Sequence, residues 1–159
     1  MADEIYNSEW IDLHGNKIHK TAVIADSVKL GKGNVIYPFA VIGYNGFTWE
    51  KPKDLTVVIG DNNKIGANTF IAHSTNIGSN NTIMSGVNIG HNCEIGNDNK
   101  IVANSTICGH VSIGNENRIN AGSTIRNRII IGNDCVIGAG SVVVKPVESG
   151  KLVKGNPAK

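Results

Sequence analysis

A branched aliphatic residue recurs at every sixth position over most of this chain. Stepping by six from Ile59, the sequence reads Ile59, Ile65, Ile71, Ile77, Ile83, Ile89, Ile95, Ile101, Ile107, Ile113, Ile119, Ile125, Ile131, Ile137 and Val143, fifteen consecutive hits. The same count runs upstream through Ile18, Ile24, Leu30, Ile36 and Ile42. Ile42 and Ile59 are 17 residues apart, so the register breaks once, around the segment YNGFTWEKPKDLT from Tyr44 to Thr56. An amphipathic helix needs a period of 3.6 and an uninterrupted strand a period of two. Six fits neither, and predicts short strands joined by turns at fixed spacing.

Two residues before each aliphatic stands a second, smaller class: Thr69, Thr75, Val87, Cys93, Ser105, Val111, Ser123 and Ser141. Pleating within a short strand points both classes the same way, here inward. A longer period lies over the first, because Gly60, Gly78, Gly96, Gly114 and Gly132 follow isoleucines at intervals of 18. Three hexads therefore close one coil, and the coil has three sides. Asn63, Asn81, Asn99 and Asn117 share the interval, which predicts a ladder of side-chain amides between coils stacked ~4.8 Å apart. The glycines, 19 in 159 residues, and the many asparagines suit turns with left-handed backbone angles. The pattern predicts one all-β domain over 1–159, a parallel β-helix of about seven triangular coils. Its repeat runs over 18–143, its excursion over 44–56 and its tail over 144–159. Residues 1–15, with Trp10 and Ile11, are expected to cover the first coil. The tail, leaving the repeat at Pro146, is expected to cover or flank the last.

Composition narrows the function classes. A net charge of +2 from 15 basic and 13 acidic residues leaves no basic stripe for a phosphate backbone, so nucleic acid is not expected as a partner. No apolar run approaches the ~18 residues of a membrane span. The opening residues MADEIYNSEW lack the basic start and apolar stretch of a secretory signal, and a cytoplasmic location is expected. Cys93, Cys108 and Cys135 form no CxxC or zinc-type spacing and are expected as free thiols.

The hexads, of which IGDNNKIGANTFIAHSTNIG is a sample, resemble those of the hexapeptide-repeat acyltransferases. That resemblance implies a left-handed helix, a homotrimer, and active sites in clefts between neighbouring subunits. IYPFAVIG at Ile36–Gly43 and VNIGHNCEIGNDNKIVANSTICGHVSIG at Val87–Gly114 are similar, more narrowly, to the UDP-N-acetylglucosamine O-acyltransferases of lipid A synthesis. By that resemblance His91 is the catalytic base and Gly109 supplies an oxyanion-stabilising backbone N–H, with His110 beside it in the substrate cleft. Asn92 stands where the family usually carries Asp or Glu. Nucleotide-sugar N-acetyltransferases of the same superfamily end in a stretch like Gly155–Lys159, which points to acetyl-coenzyme A. Ala139 lies near the coil where the lipid A enzymes measure acyl length with a glycine, and hints at a shorter acyl group.

Moving an acyl group from a thioester to a hydroxyl or amine needs a base for the acceptor's proton and a donor for the developing oxyanion. An imidazole suits the first role near neutral pH. His91 lies two residues after Ile89 and His73 two after Ile71, so both are expected to project outward and to stack on adjacent coils. His73, His110, Asn92, Arg126 and Asn127 are candidate substrate contacts, and Cys93 reads as core. Phe47, Trp49, Glu50, Lys51 and Lys53 of the excursion are expected either to reach a neighbour's cleft or to form a subunit contact. Lys151, Lys154 and Lys159 are expected as a solvated basic tail. The expected donor is acyl carrier protein or coenzyme A thioester, with no bound cofactor, and the acceptor is a sugar or nucleotide sugar. Two other classes stand beside this one. A non-catalytic β-helix scaffold is favoured by Asn92. A metalloprotein like the gamma-class carbonic anhydrases is disfavoured, since no second histidine lies five residues from His91 or His110.

Overall fold

The structure, a computed structural model, describes residues 9–45 and 54–159. The hexads form short strands, most of two residues, and the chain visits three sheets in turn. The first face carries strands such as Lys64–Ile65 and Lys100–Ile101, the second Asn88–Ile89 and Thr106–Ile107, and the third Asn76–Ile77 and Glu94–Ile95. Within a face every strand pairs in parallel with the one a full coil away, so Ile71, Ile89 and Ile107 lie in one row. This is the three-sided parallel β-helix, of about seven coils, that the double period of six and 18 requires.

The interior is built from the two inward positions of each hexad. The hexad isoleucines from Ile36 to Ile137 are almost wholly removed from water, and so are Thr69, Thr75, Val87, Cys93, Ser105, Val111, Ser123 and Ser141. The amide ladder is present and longer than the four predicted rungs, beginning at Asn16 and Asn34. Asn81 shows its logic. Its amide nitrogen donates to Asn63 Oδ1 at 3.0 Å and to the Gly96 carbonyl at 2.9 Å, while its own Oδ1 accepts the Asn99 backbone N–H at 2.9 Å. Cys135 ends the ladder, its N–H donating to Asn117 Oδ1 at 2.8 Å.

Corners turn through a residue in the left-handed region three places after each aliphatic. Asn68, Asn80, Asn92 and Asn104 occupy it with φ between 56° and 61°, as asparagine does at little steric cost. At the corner between the third and first faces a second polar column appears outside the core. There the backbone N–H groups of Ser79, Asn97 and Asn115 each donate at 2.7 Å to a side-chain oxygen one coil on.

The ends differ from the sequence expectation. Residues 1–8 lie outside the description, and Trp10–Leu13 pairs antiparallel with Asn16–His19, extending the first face only. Among the described residues the first strands of the other two faces keep open edges, and Val23 is 60% exposed. At the other end the tail leaves the six-residue register and covers the last coil. Val147 bridges Ile131 in parallel, Leu152–Val153 pairs with Val136–Ile137, and Val142 is hydrogen-bonded to Gly155 and Ala158 at 2.9 Å each. A last coil is thus completed, with Val147 and Val153 each 16 rather than 18 residues beyond their partners, and that shortening hid it from the count.

Candidate active site

The corner between the second and third faces gathers the predicted residues. Residues two places after an aliphatic stack as His73, His91, Gly109 and Asn127, and those three places after as Ser74, Asn92, His110 and Arg128. The His73 and His91 rings stack with centroids 5.5 Å apart and planes at 15°. His110, from the next coil, meets the His91 ring edge-on at 5.0 Å and 84°. Three imidazoles on three successive coils therefore converge, of which the 18-residue interval predicts the stacking of His73 and His91.

Local hydrogen bonds decide the state of each ring. His91 Nδ1 lies 2.8 Å from Asn92 Oδ1. A carboxamide oxygen only accepts, so Nδ1 carries a proton, and in the neutral ring the lone pair is on Nε2. That nitrogen lies over Gly109, where an added Cβ would stand 3.0 Å from Nε2 and 3.2 Å from Cε1. Glycine is required there because the imidazole occupies the space of a side chain. Among the described residues the Gly109 N–H meets no acceptor, whereas the equivalent N–H groups of the outer polar column are each capped by the next coil. A base lone pair and an uncommitted backbone donor thus share one half-exposed spot.

His73 departs from expectation. It was expected to project outward beside His91, and it is buried, with 2% of its surface exposed. The chain returning from the excursion explains the difference, since the Ser74 hydroxyl donates to the Asp54 carbonyl and ties that segment to the corner. With its proton committed there, Ser74 Oγ accepts from His73 Nδ1 at 2.8 Å. His73 Nε2 is then a buried acceptor with no partner among the described residues. Burial, and next the charge of His91, hold this imidazole below its ordinary pKa. The sequence reading missed Ser74 and Asp54, although Ser74 occupies beside His73 the position Asn92 holds beside His91.

Arg126 and Asn127 are exposed one coil beyond Cys108 and Gly109, in line with the site. Phe47, Trp49, Glu50, Lys51 and Lys53 lie outside the described residues. Cys93 is core, its Sγ donating to the Cys108 carbonyl at 3.2 Å and its thiol pushed up to about 11 by burial. All three cysteines are free. Among the described residues no three His, Cys, Asp or Glu side chains are grouped as a metal ion would need.

Residues 74–109 and 110–145 match the family model described as bacterial transferase hexapeptide (six repeats), the repeat of the left-handed β-helix. Among solved structures, LpxA from Bacteroides fragilis, a UDP-N-acetylglucosamine acyltransferase, is 29% identical with a TM-score of 0.80, over 91% of this chain and 60% of that one. PerB from Caulobacter crescentus, solved with CoA and GDP-perosamine, is 27% identical with a TM-score of 0.56, over 91% of this chain and 56% of that one. LpxA from Acinetobacter baumannii is 26% identical with a TM-score of 0.55, over 92% of this chain and 71% of that one. The chain therefore spans 60% of the length of the first of these. No curated protein matches it. No helix among the described residues is long and apolar enough to cross a membrane.

Proposed function

We propose that this chain, which carries the bacterial transferase hexapeptide repeat over residues 74–145, is an acyltransferase acting on a hydroxyl or amine of a sugar, in the form of a nucleotide sugar. The donor is a thioester of coenzyme A or acyl carrier protein. As the acceptor attacks the thioester carbonyl, its proton passes to His91 Nε2. The tetrahedral oxyanion accepts the Gly109 N–H, and collapse breaks the C–S bond. The leaving thiolate then takes the proton from the imidazolium. His110, edge-on to His91, orients the acceptor, while Arg126 and Asn127 contact the substrates one coil on. His73 supports the His91 ring from beneath. The working particle is a cytoplasmic homotrimer with this corner facing a groove shared with a neighbour.

One observation carries the reading. His91 Nδ1 is held by Asn92 Oδ1 at 2.8 Å, which turns an unprotonated Nε2 toward the position beside the Gly109 N–H. The test is His91→Gln, assayed for thiol release from acyl thioesters with nucleotide sugars. General-base loss should lower kcat by ~10²–10⁴-fold while the melting temperature stays within a degree or two. Turnover equal to an active wild type removes His91 from the mechanism, and no thiol release by wild type returns the chain to the scaffold reading. Light scattering should give three times the 16.9 kDa chain mass.

A further inference from the structure

We propose that the negative charge this corner lacks comes from a neighbouring copy of the chain, whose corner between the third and first faces packs against it and sets Asp98 of the partner subunit beside His91. The inference rests on the acyltransferase reading above and on its trimer. It comes from two columns of polar side chains. On three successive coils the left-handed position of the site corner holds Asn92, His110 and Arg128, with φ between 57° and 62°. Six residues on, at the next corner of the same coils, that position holds Asp98, Glu116 and Asp134, with φ between 53° and 59°. The corner between the first and second faces carries only Asn or Gly there from Asn68 to Gly140, the residues for which such angles cost least. Histidine, arginine and glutamate are held against that preference, which marks both columns for a role beyond turning the chain. All six side chains are exposed. Among the described residues none of the three acids pairs with a base, and no acid pairs with an imidazole or with Arg128. Arg118, beside Glu116 on the first face, donates instead to Asn120 Oδ1 at 2.9 Å.

Symmetry fixes what can meet. In a ring of three copies whose solenoid axes run along the three-fold, every residue keeps its height from one copy to the next, so a corner meets a corner of the same coil. His91 with Asn92 is therefore level with Asp98 of the partner subunit, His110 with the partner's Glu116 and Arg128 with the partner's Asp134, each to within about a third of the ~4.8 Å coil spacing. The acidic corner matches this column coil for coil, and the uncharged corner does not. The match begins where the imidazole is exposed, since one coil earlier the buried His73 stands level with the neutral Asn80. Opposed charges select such a contact and like charges reject it. Ile130, 61% exposed on the third face between Arg128 and Asp134, gives the same contact an apolar part. Asn92 Oδ1 fixes the tautomer of His91 at 2.8 Å but carries no charge. A carboxylate within ~4–6 Å favours the charged form of an imidazole, so Asp98 of the partner subunit stabilises the imidazolium formed when His91 Nε2 takes the acceptor's proton. No proton moves to the carboxylate; the imidazolium passes it to the thiolate as the C–S bond breaks. Each site is then complete only in the assembled ring.

Two experiments on the full chain test this. Arg128→Glu and Asp134→Arg each place like charges across the contact. Glutamate and arginine already occupy this left-handed position at Glu116 and Arg128, so both variants should melt with wild type. Sedimentation should show either change raising the trimer dissociation constant at least ~10-fold, with the double exchange restoring it to within about threefold of wild type. Asp98→Asn, an isostere that keeps the left-handed turn, should lower kcat at least ~10-fold and move the acidic limb of the kcat/KM profile to lower pH, because the imidazole loses its anion. Equal mixtures of His91→Gln and Asp98→Asn chains, co-expressed, should recover about a quarter of wild-type activity, since each mixed ring holds one native site in three. A wild type that sediments as a monomer, single charge changes that leave the trimer intact, a double exchange that restores nothing, or mixtures no more active than the mean of their parents overturn the assignment. If wild type trimerises with this charge dependence and acylates nothing, the acyltransferase reading falls alone and the packing stands.

Discussion

A single atom type decides the state of each ring in the histidine column. Asn92 offers an oxygen to His91, and Ser74 offers an oxygen to His73 because its own proton is spent on Asp54. Both rings therefore keep Nδ1–H, but only His91 reaches solvent. His73 pays for its position in acid. Burial keeps its folded pKa below the unfolded value of ~6.5, so under acid the unfolded chain binds a proton that the native ring resists. The stability contribution is whole above about pH 6.5 and declines as pH falls through the depressed native value. Melting temperatures of wild type and His73→Gln between pH 4.5 and 7.5 test this, with the wild-type curve falling below about pH 6.5 and the variant curve flatter. Parallel curves would show that some other group carries the acid loss. His91, Gly109 and His110 were legible because a short motif and a period of 18 place them. The burial of His73 was not, since it depends on where the chain comes back after an excursion whose path no periodicity describes.

Elements here are too short to be stable alone, and most strands contain two residues. Their stability comes from repetition along the axis, where each coil satisfies the polar groups of the next. The two asparagine columns separate buried from exposed versions of the same device. Asn81 is fully buried, donates twice through its amide to neighbouring rungs and caps the Asn99 N–H. Asn97, in the outer column, caps the Ser79 N–H at 2.7 Å but stands exposed to water. Removing a buried partner leaves desolvated groups unpaired at ~1–3 kcal/mol each, whereas water replaces the partner outside. Asn81→Ala should therefore cost several kcal/mol in chemical denaturation, and Asn97→Ala under about 1 kcal/mol. Equal losses would mean that the inner ladder owes nothing to its burial. The inner column was readable because its interval coincides with that of the core. The outer one, Asp61, Ser79, Asn97, Asn115 and Asn133, keeps the interval but changes residue type, and chemistry that Asp, Ser and Asn share does not register as a repeat. The ladder also frays where the repeat changes, since Asn117 Nδ2 is buried without a partner among the described residues.

A solenoid has two ends, and an end is three strand edges at once. At the start of this molecule an antiparallel strand covers one edge; at the finish the tail covers all three. Val147 lies on the third face, Leu152–Val153 on the first, and Gly155 with Ala158 on the second. This closing coil was invisible to a count of six because one step, from Val143 to Val147, is four residues instead of six and carries Val153 out of register with it, with Pro146 inside the shortened step. Its function follows from what it covers. Without it Ile131, Ile137 and Val143, now buried at 2% exposure or less, would line the uncovered end, beside unpaired N–H and C=O groups that invite a second chain. Deleting 147–159 should accordingly lower the melting temperature by well over ~4 °C, the upper end of the shift expected of ~1 kcal/mol in a domain of this size, and should raise light scattering at micromolar concentration. A change confined to residues 154–159 should do less, because it leaves Val147 and Leu152–Val153 in place on two of the three edges. If both deletions melt with wild type and stay monodisperse, the edges are protected by something other than the tail, and the only other element at that end of a stacked prism is a further copy or a further length of chain.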